Sequence, residues 1–135
     1  MKLSLILMLF LCFAFGGVCQ KAYATIAGKN GGGISKAALI SAGKLVLVDG
    51  TAGCYVDGFM MAITYKWKPN CDTLASPQPM RSDDNKLTSQ MLKALKTDLG
   101  YSGCYSIYVK LYNIVWGSPD RHMNRIDDMS FILNK

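Results

Sequence analysis

Residues 59–68 read Phe59-Met60-Met61-Ala62-Ile63-Thr64-Tyr65-Lys66-Trp67-Lys68, the most regular two-residue alternation in the chain. Phe59, Met61, Ile63, Tyr65 and Trp67 fall on one face, and Met60, Ala62, Thr64, Lys66 and Lys68 on the other. An α-helix would scatter both sets around its axis. A strand puts each on its own side, so the pattern predicts a strand with a core face and a face that becomes wet toward its lysine end. Pro69 ends it, because proline has no N–H for the ladder.

Working outward, Cys104 to Val115 alternates again, with Tyr105, Ile107, Val109 and Leu111 facing one way and Cys104, Ser106, Tyr108, Lys110 and Tyr112 the other. This predicts a second long strand. Leu45–Val48 reads as a short strand closed by Asp49-Gly50, and Met129–Leu133 as a last strand after the turn Gly117-Ser118-Pro119-Asp120. Residues 69–86, with Pro69, Pro77 and Pro79, read as loop with one short strand at most.

Two short helices interrupt the strands. Ser35 can cap a helix whose end Gly43 marks, since glycine takes the left-handed conformation without steric cost. Thr88 is the second cap, with Leu87 and Leu92 as a staple. Leu87, Met91, Leu95 and Leu99 then form one stripe, and Gly100 is the expected stop. Gly31-Gly32-Gly33 before the first helix reads as a turn that no strand would hold. It lacks the Gly-Lys-Ser/Thr ending of a phosphate loop. These elements predict a mainly β fold, an antiparallel β-sandwich with two short helices.

The N-terminus has a different character. Residues 3–18 contain no charge, follow Lys2 and lead to Ala22-Tyr23-Ala24. A charged start, an apolar stretch and a small-residue cleavage pattern predict a signal peptide over 1–24 and a mature domain over 25–135. Val18 before Cys19 and Leu11 before Cys12 are larger than lipoprotein processing prefers. No other apolar run is long enough to cross a membrane. Export places the domain in the periplasm or at the cell surface, where disulfides persist. Cys12 and Cys19 would leave with this leader. Cys54, Cys71 and Cys104 then allow one bridge, with spacing leaving the pair open.

The 135 residues carry 15 basic and 9 acidic side chains, all nine acidic ones aspartate, for a net charge of +6. The leader holds two of the basic residues, so the mature charge of +4 is small for a nucleic-acid binder. Chemistry has few parts to use. The one histidine, His122, has no nucleophile motif near it, and no glutamate is present. Asp83-Asp84-Asn85 lacks the spacing of a calcium loop, and the cysteines lack that of a zinc site. We therefore expect no enzyme activity, metal or cofactor. Tyr108, Tyr112 and Trp116, with Arg121 and Arg125 from the adjacent loop, are the candidate partner-binding residues, because aromatic and arginine side chains dominate binding hot spots. The same aromatics would serve the alternative, a carbohydrate-binding or adhesin-like surface module.

Two stretches read together resemble the C-terminal domain of the gliding-motility and type IX secretion protein family GldM (PorM). Residues 27–43, Ala-Gly-Lys-Asn-Gly-Gly-Gly-Ile-Ser-Lys-Ala-Ala-Leu-Ile-Ser-Ala-Gly, are similar to that family's Gly-Lys-x-Gly-Gly-x-Ile-x-Lys helix entry. Ser82–Met91, the lysine-bearing helix after it, the strand around Tyr108-Val109, Gly117-Ser118-Pro119-Asp120 and Met129–Ile132 follow the family's closing order. The resemblance implies an immunoglobulin-like β domain that binds protein. It also implies partners at the outer membrane, such as the ring proteins GldK and GldN. The family's shaft is dimeric, so a homodimer is among the implied assemblies.

Overall fold

A computed structural model describes residues 22–48, 53–97, 103–119 and 123–134. The strands are β1 (Tyr23–Thr25), β2 (Gly32–Ser35), β3 (Val46–Val48), β4 (Tyr55–Trp67), β5 (Met80–Ser82), β6 (Tyr105–Gly117), β7 (Met123–Ile126) and β8 (Met129–Asn134). Two helices, α1 (Lys36–Ala42) and α2 (Ser89–Lys96), lie between them. The fold is mainly β with two short helices. One sheet runs β2-β8-β6-β4-β5, with β7 pairing the far end of β6, and the other is the pair β1-β3. Pairing is antiparallel except between β2 and β8, which run parallel.

One core joins these layers. Phe59, Met61 and Ile63 of β4, Val109 and Leu111 of β6 and Met129 and Phe131 of β8 meet Leu39, Met91 and Leu95 of the helices and Ile26 and Leu45, which flank β1 and β3. The inner face of the large sheet is thus covered by a layer of two strands and two helices, which is how so small a domain buries one continuous apolar cluster.

Both helices start as their caps dictate. The Ala38 N–H donates to Ser35 Oγ at 3.1 Å, and the Met91 N–H to Thr88 Oγ1 at 3.3 Å. Gly43 has φ of 62° and donates its N–H to the Leu39 carbonyl at 3.3 Å. The second helix stops earlier than Gly100, at Thr97, whose Oγ1 donates to the Lys93 carbonyl at 3.1 Å. Gly100 lies outside the described residues. The strand–helix junctions are tied together: Leu45 N–H donates to Asn85 O at 2.7 Å and Leu87 N–H to Gly43 O at 2.8 Å.

Several expectations are corrected. Gly32 and Gly33 belong to strand β2, not to a turn. A Cβ on Gly33 would lie 2.8 Å from Asn134 Nδ2, so a side chain there would oblige the Asn134 amide to move. Trp67 was expected in the core but is 47% exposed, because it pairs with Tyr105 beyond the covered part of the sheet. β7 has no alternation to announce it: Met123, Asn124 and Arg125 are all exposed on a strand paired along one edge. Apart from these corrections, Ala24, the residue before the expected cleavage point, lies within β1 and is buried.

Cys71 and Cys104 form a disulfide, which brackets the loop before β5. The Lys68 N–H donates to Cys104 O at 2.9 Å and the Tyr105 hydroxyl to Asp72 O at 2.9 Å, so that loop is also sewn to the start of β6. Cys54 is disulfide-bonded as well.

Candidate functional site

Among the described residues, no layer covers the outer face of the large sheet. Its side chains form rows set by the strand register. Thr64, Tyr108 and Ile132 lie across β4, β6 and β8, and Ala62, Lys110 and Ser130 lie beside them. Arg81, Met60 and Tyr112 form the next row across β5, β4 and β6. Tyr108, Tyr112 and Met60 are half-buried, packed against their neighbours on the face but reachable from solvent, and Ile132 is 43% exposed.

Cations sit over the two rings. Lys66 Nζ is 4.9 Å from the centre of the Tyr108 ring and Lys110 Nζ is 5.7 Å from that of Tyr112. Each lysine lies diagonally across from its tyrosine or two residues before it on the same strand, a spacing within reach of long side chains. Lys110 also pairs with Asp128 at 2.9 Å, and Arg81 with Asp83 at 2.6 Å. Both ion pairs are exposed, so they orient these side chains more than they stabilise the fold.

Beyond Met60 and Tyr112 the ladder breaks twice. Asn113 and Ile114 of β6 stand against the single residue Phe59, and one step on Asp57 is the extra residue of β4. Between the breaks lies a pocket of about 220 Å³ lined by Asp57, Gly58, Met60, Asn113, Arg81 and Arg125, among others. A β-bulge bends its strand and re-aims side chains, which opens such a hollow on an otherwise flat face. The two arginines reach it from opposite edges, one from β5 and one from β7. The row beyond it, Tyr55, Gly117 and Met123, puts the Tyr55 ring over Gly117, where an added Cβ would meet the ring at 2.9 Å.

Three of the five candidate residues come together on this face: Tyr108, Tyr112 and Arg125. Trp116 does not. It is 2% exposed, because the extra residue at Asn113 reverses the phase of β6, so Ile114 and Trp116 point opposite to Tyr112. Arg121 lies outside the described residues, as does His122. Sequence reasoning missed Arg81, Asp57 and Met60; the alternation marked Met60 as outward, but nothing in it could place β5 beside β4. Among the described residues no group of three or more histidine, cysteine, aspartate or glutamate side chains could hold a metal ion, and no helix is long and apolar enough to cross a membrane.

Comparison with models of known protein families finds no match, and comparison with curated proteins finds none either.

Proposed function

We propose that this chain is an exported, non-catalytic protein-binding domain that docks an acidic segment of an envelope protein on its outer sheet face. The observation that carries the reading is the uncovered row Arg81–Met60–Tyr112 with Arg125 across the pocket. Apolar and aromatic side chains supply area to bury, and Lys66, Lys110, Arg81 and Arg125 frame them with positive charge. That pairing of an amphipathic centre with a cationic rim suits a partner of opposite charge. The resemblance to the GldM C-terminal domain points the same way and suggests the outer-membrane ring proteins as the first partners to try.

The sugar-binding alternative has less behind it. A sugar ring would need the open faces of Tyr108 and Tyr112, and Lys66 and Lys110 already stand over those rings.

The test is direct binding of the exported domain to the purified GldK- and GldN-like proteins of its own cell, with lysine-reactive crosslinking to map the contact. We expect binding that weakens as salt rises, crosslinks at Lys66 or Lys110, and at least about tenfold weaker binding for Tyr112→Ala combined with Arg125→Ala, as loss of a hot-spot pair would give. Crosslinks confined to α1 and α2, or unchanged binding by the double variant, would overturn this reading.

A further inference from the structure

The two insertions that break the β4–β6 ladder leave a hollow whose size and chemistry differ from the flat face around it. Its volume of about 220 Å³ is below the roughly 300–1,000 Å³ of pockets that enclose a whole small molecule, so it has room for one side chain and its backbone. Met60 and Val115 line it with apolar surface, and Asp57, Asn113, Arg81 and Arg125 bring polar groups.

Charge around this pocket is separated. Arg81 Nε donates to Asp83 Oδ1 at 2.6 Å, which holds that guanidinium by one nitrogen and leaves its two Nη groups for another acceptor. Among the described residues, the side chains of Asp57, Asn113 and Arg125 make no hydrogen bond or ion pair. Asp57 is the extra residue of β4, Arg125 pairs with Val115 from β7 and Arg81 with Met60 from β5, so one carboxylate and two guanidiniums come to the pocket from three strands. A simple anion would satisfy the arginines but would face Asp57, and a simple cation would do the reverse. An acidic residue within a peptide satisfies both: its carboxylate accepts from guanidiniums while its own backbone N–H donates to a carboxylate.

We propose that this pocket seats one acidic residue of the segment that docks on the outer face, with its carboxylate between Arg81 and Arg125, Asn113 as a further donor, and its backbone N–H given to Asp57. The proposal rests on the reading of that face as a docking surface for an acidic partner, and adds the place where a single residue is recognised. Selectivity follows from the donors, because a neutral amide in the same position would turn its own NH₂ toward the arginine N–H groups.

The experiment needs no partner. A short acetylated and amidated Gly/Ser peptide with one central aspartate is titrated into the isotope-labelled protein and followed by amide NMR. Two analogues run beside it: the same peptide with asparagine, and the ester in which malic acid replaces aspartic acid and removes only its N–H. The aspartate peptide should shift the signals of Asp57, Asn113 and Arg125 and bind at least about tenfold more tightly than either analogue, as loss of a charge-assisted bond would give. Arg125→Gln should abolish the preference for aspartate over asparagine, and Lys93→Gln, on α2, should preserve it. Equal binding of all the peptides, or shifts confined to the Tyr108 end of the face, would overturn the site. An ester that binds like the amide would overturn the pairing with Asp57. Any of these failures leaves the outer-face reading standing if the GldK- or GldN-like proteins still crosslink at Lys66 or Lys110. That reading can fail in turn, by crosslinks confined to α1 and α2, while the aspartate peptide still fills the pocket.

Discussion

Asp57 on β4 and Asn113 on β6 are each one residue more than their ladder needs, and the two insertions cancel: Met60 pairs with Tyr112 before them, and Val56 with Trp116 after them. Each strand changes phase once. Val56, Ile114 and Trp116 therefore reach the buried side although the alternation before the breaks would have put them outside. Asn113 has φ of 49°, in the left-handed region that costs a residue with a Cβ about 1–2 kcal/mol and that asparagine and glycine enter most readily. Asn113→Gly should leave the urea midpoint nearly unchanged, and Asn113→Val should lower stability by about 1–2 kcal/mol. Equal midpoints for both variants would show that the bulge does not depend on this conformation.

The reversal of phase can be seen in fluorescence. The chain has two tryptophans, Trp67 at 47% exposure and Trp116 at 2%. Trp67→Phe should leave a blue-shifted emission that iodide barely quenches, and Trp116→Phe a red-shifted one that iodide quenches readily. The opposite assignment would place Trp116 on the outer face.

Gly58 holds β5 close to β4. A Cβ there would lie 2.9 Å from the Ser82 carbonyl oxygen, a backbone atom that cannot swing away. Gly58→Ala should cost about 1–3 kcal/mol, the usual range for forced overpacking, and should loosen the edge that presents Arg81. Gly103→Ala is the control, since nothing lies within 4 Å of its added Cβ. Unfolding curves of the two variants that shift alike would refute the close approach.

Cys71 and Cys104 are 33 residues apart in sequence, and the loop they close includes β5 and α2. Closing a loop of this length in the unfolded chain accounts for about 3–4 kcal/mol. The Cys71→Ser, Cys104→Ser double variant should unfold at correspondingly lower denaturant. A loss well under 1 kcal/mol would mean that the contacts of Lys68 and Tyr105 already close this loop.

Tyr65 is buried, and burial raises its phenol above the ordinary value of 10.0. Below pH 10 both folded and unfolded chains keep the proton, so its contribution is complete. As pH rises past the unfolded value the unfolded chain loses the proton first, and folding stability declines through the folded pKa. Unfolding free energies from pH 9 to 12 should therefore fall more steeply for the wild type than for Tyr65→Phe. Parallel curves would refute this effect of burial on the phenol.

Much of the scaffold could be read from local pattern. The alternation of Phe59–Tyr65 and of Tyr105–Leu111, and the caps Ser35, Gly43 and Thr88, report on neighbours within a few residues, and the structure places each as that local chemistry demands. β1 and β2 were legible only as leader and turn, because Tyr23–Thr25 is too short to alternate and Gly32-Gly33 carries no side chain to form a pattern. The site was legible in part. Tyr108 and Tyr112 follow from the phase of β6, but the phase holds only as far as Asn113, and a single inserted residue carries Trp116 to the other side.

By itself, then, the sequence determined the mainly β class, the two short helices with their caps, and the outward phase of Tyr108 and Tyr112, all consequences of two-residue and four-residue spacing. Only the tertiary structure decided the parallel docking of β2 on β8, the paired insertions at Asp57 and Asn113, and the meeting of Arg81 with Arg125 around one pocket. The physical reason is that these depend on which strands lie side by side. Close packing over one shared core selects that order, and residues 44 positions apart have no local means of registering each other.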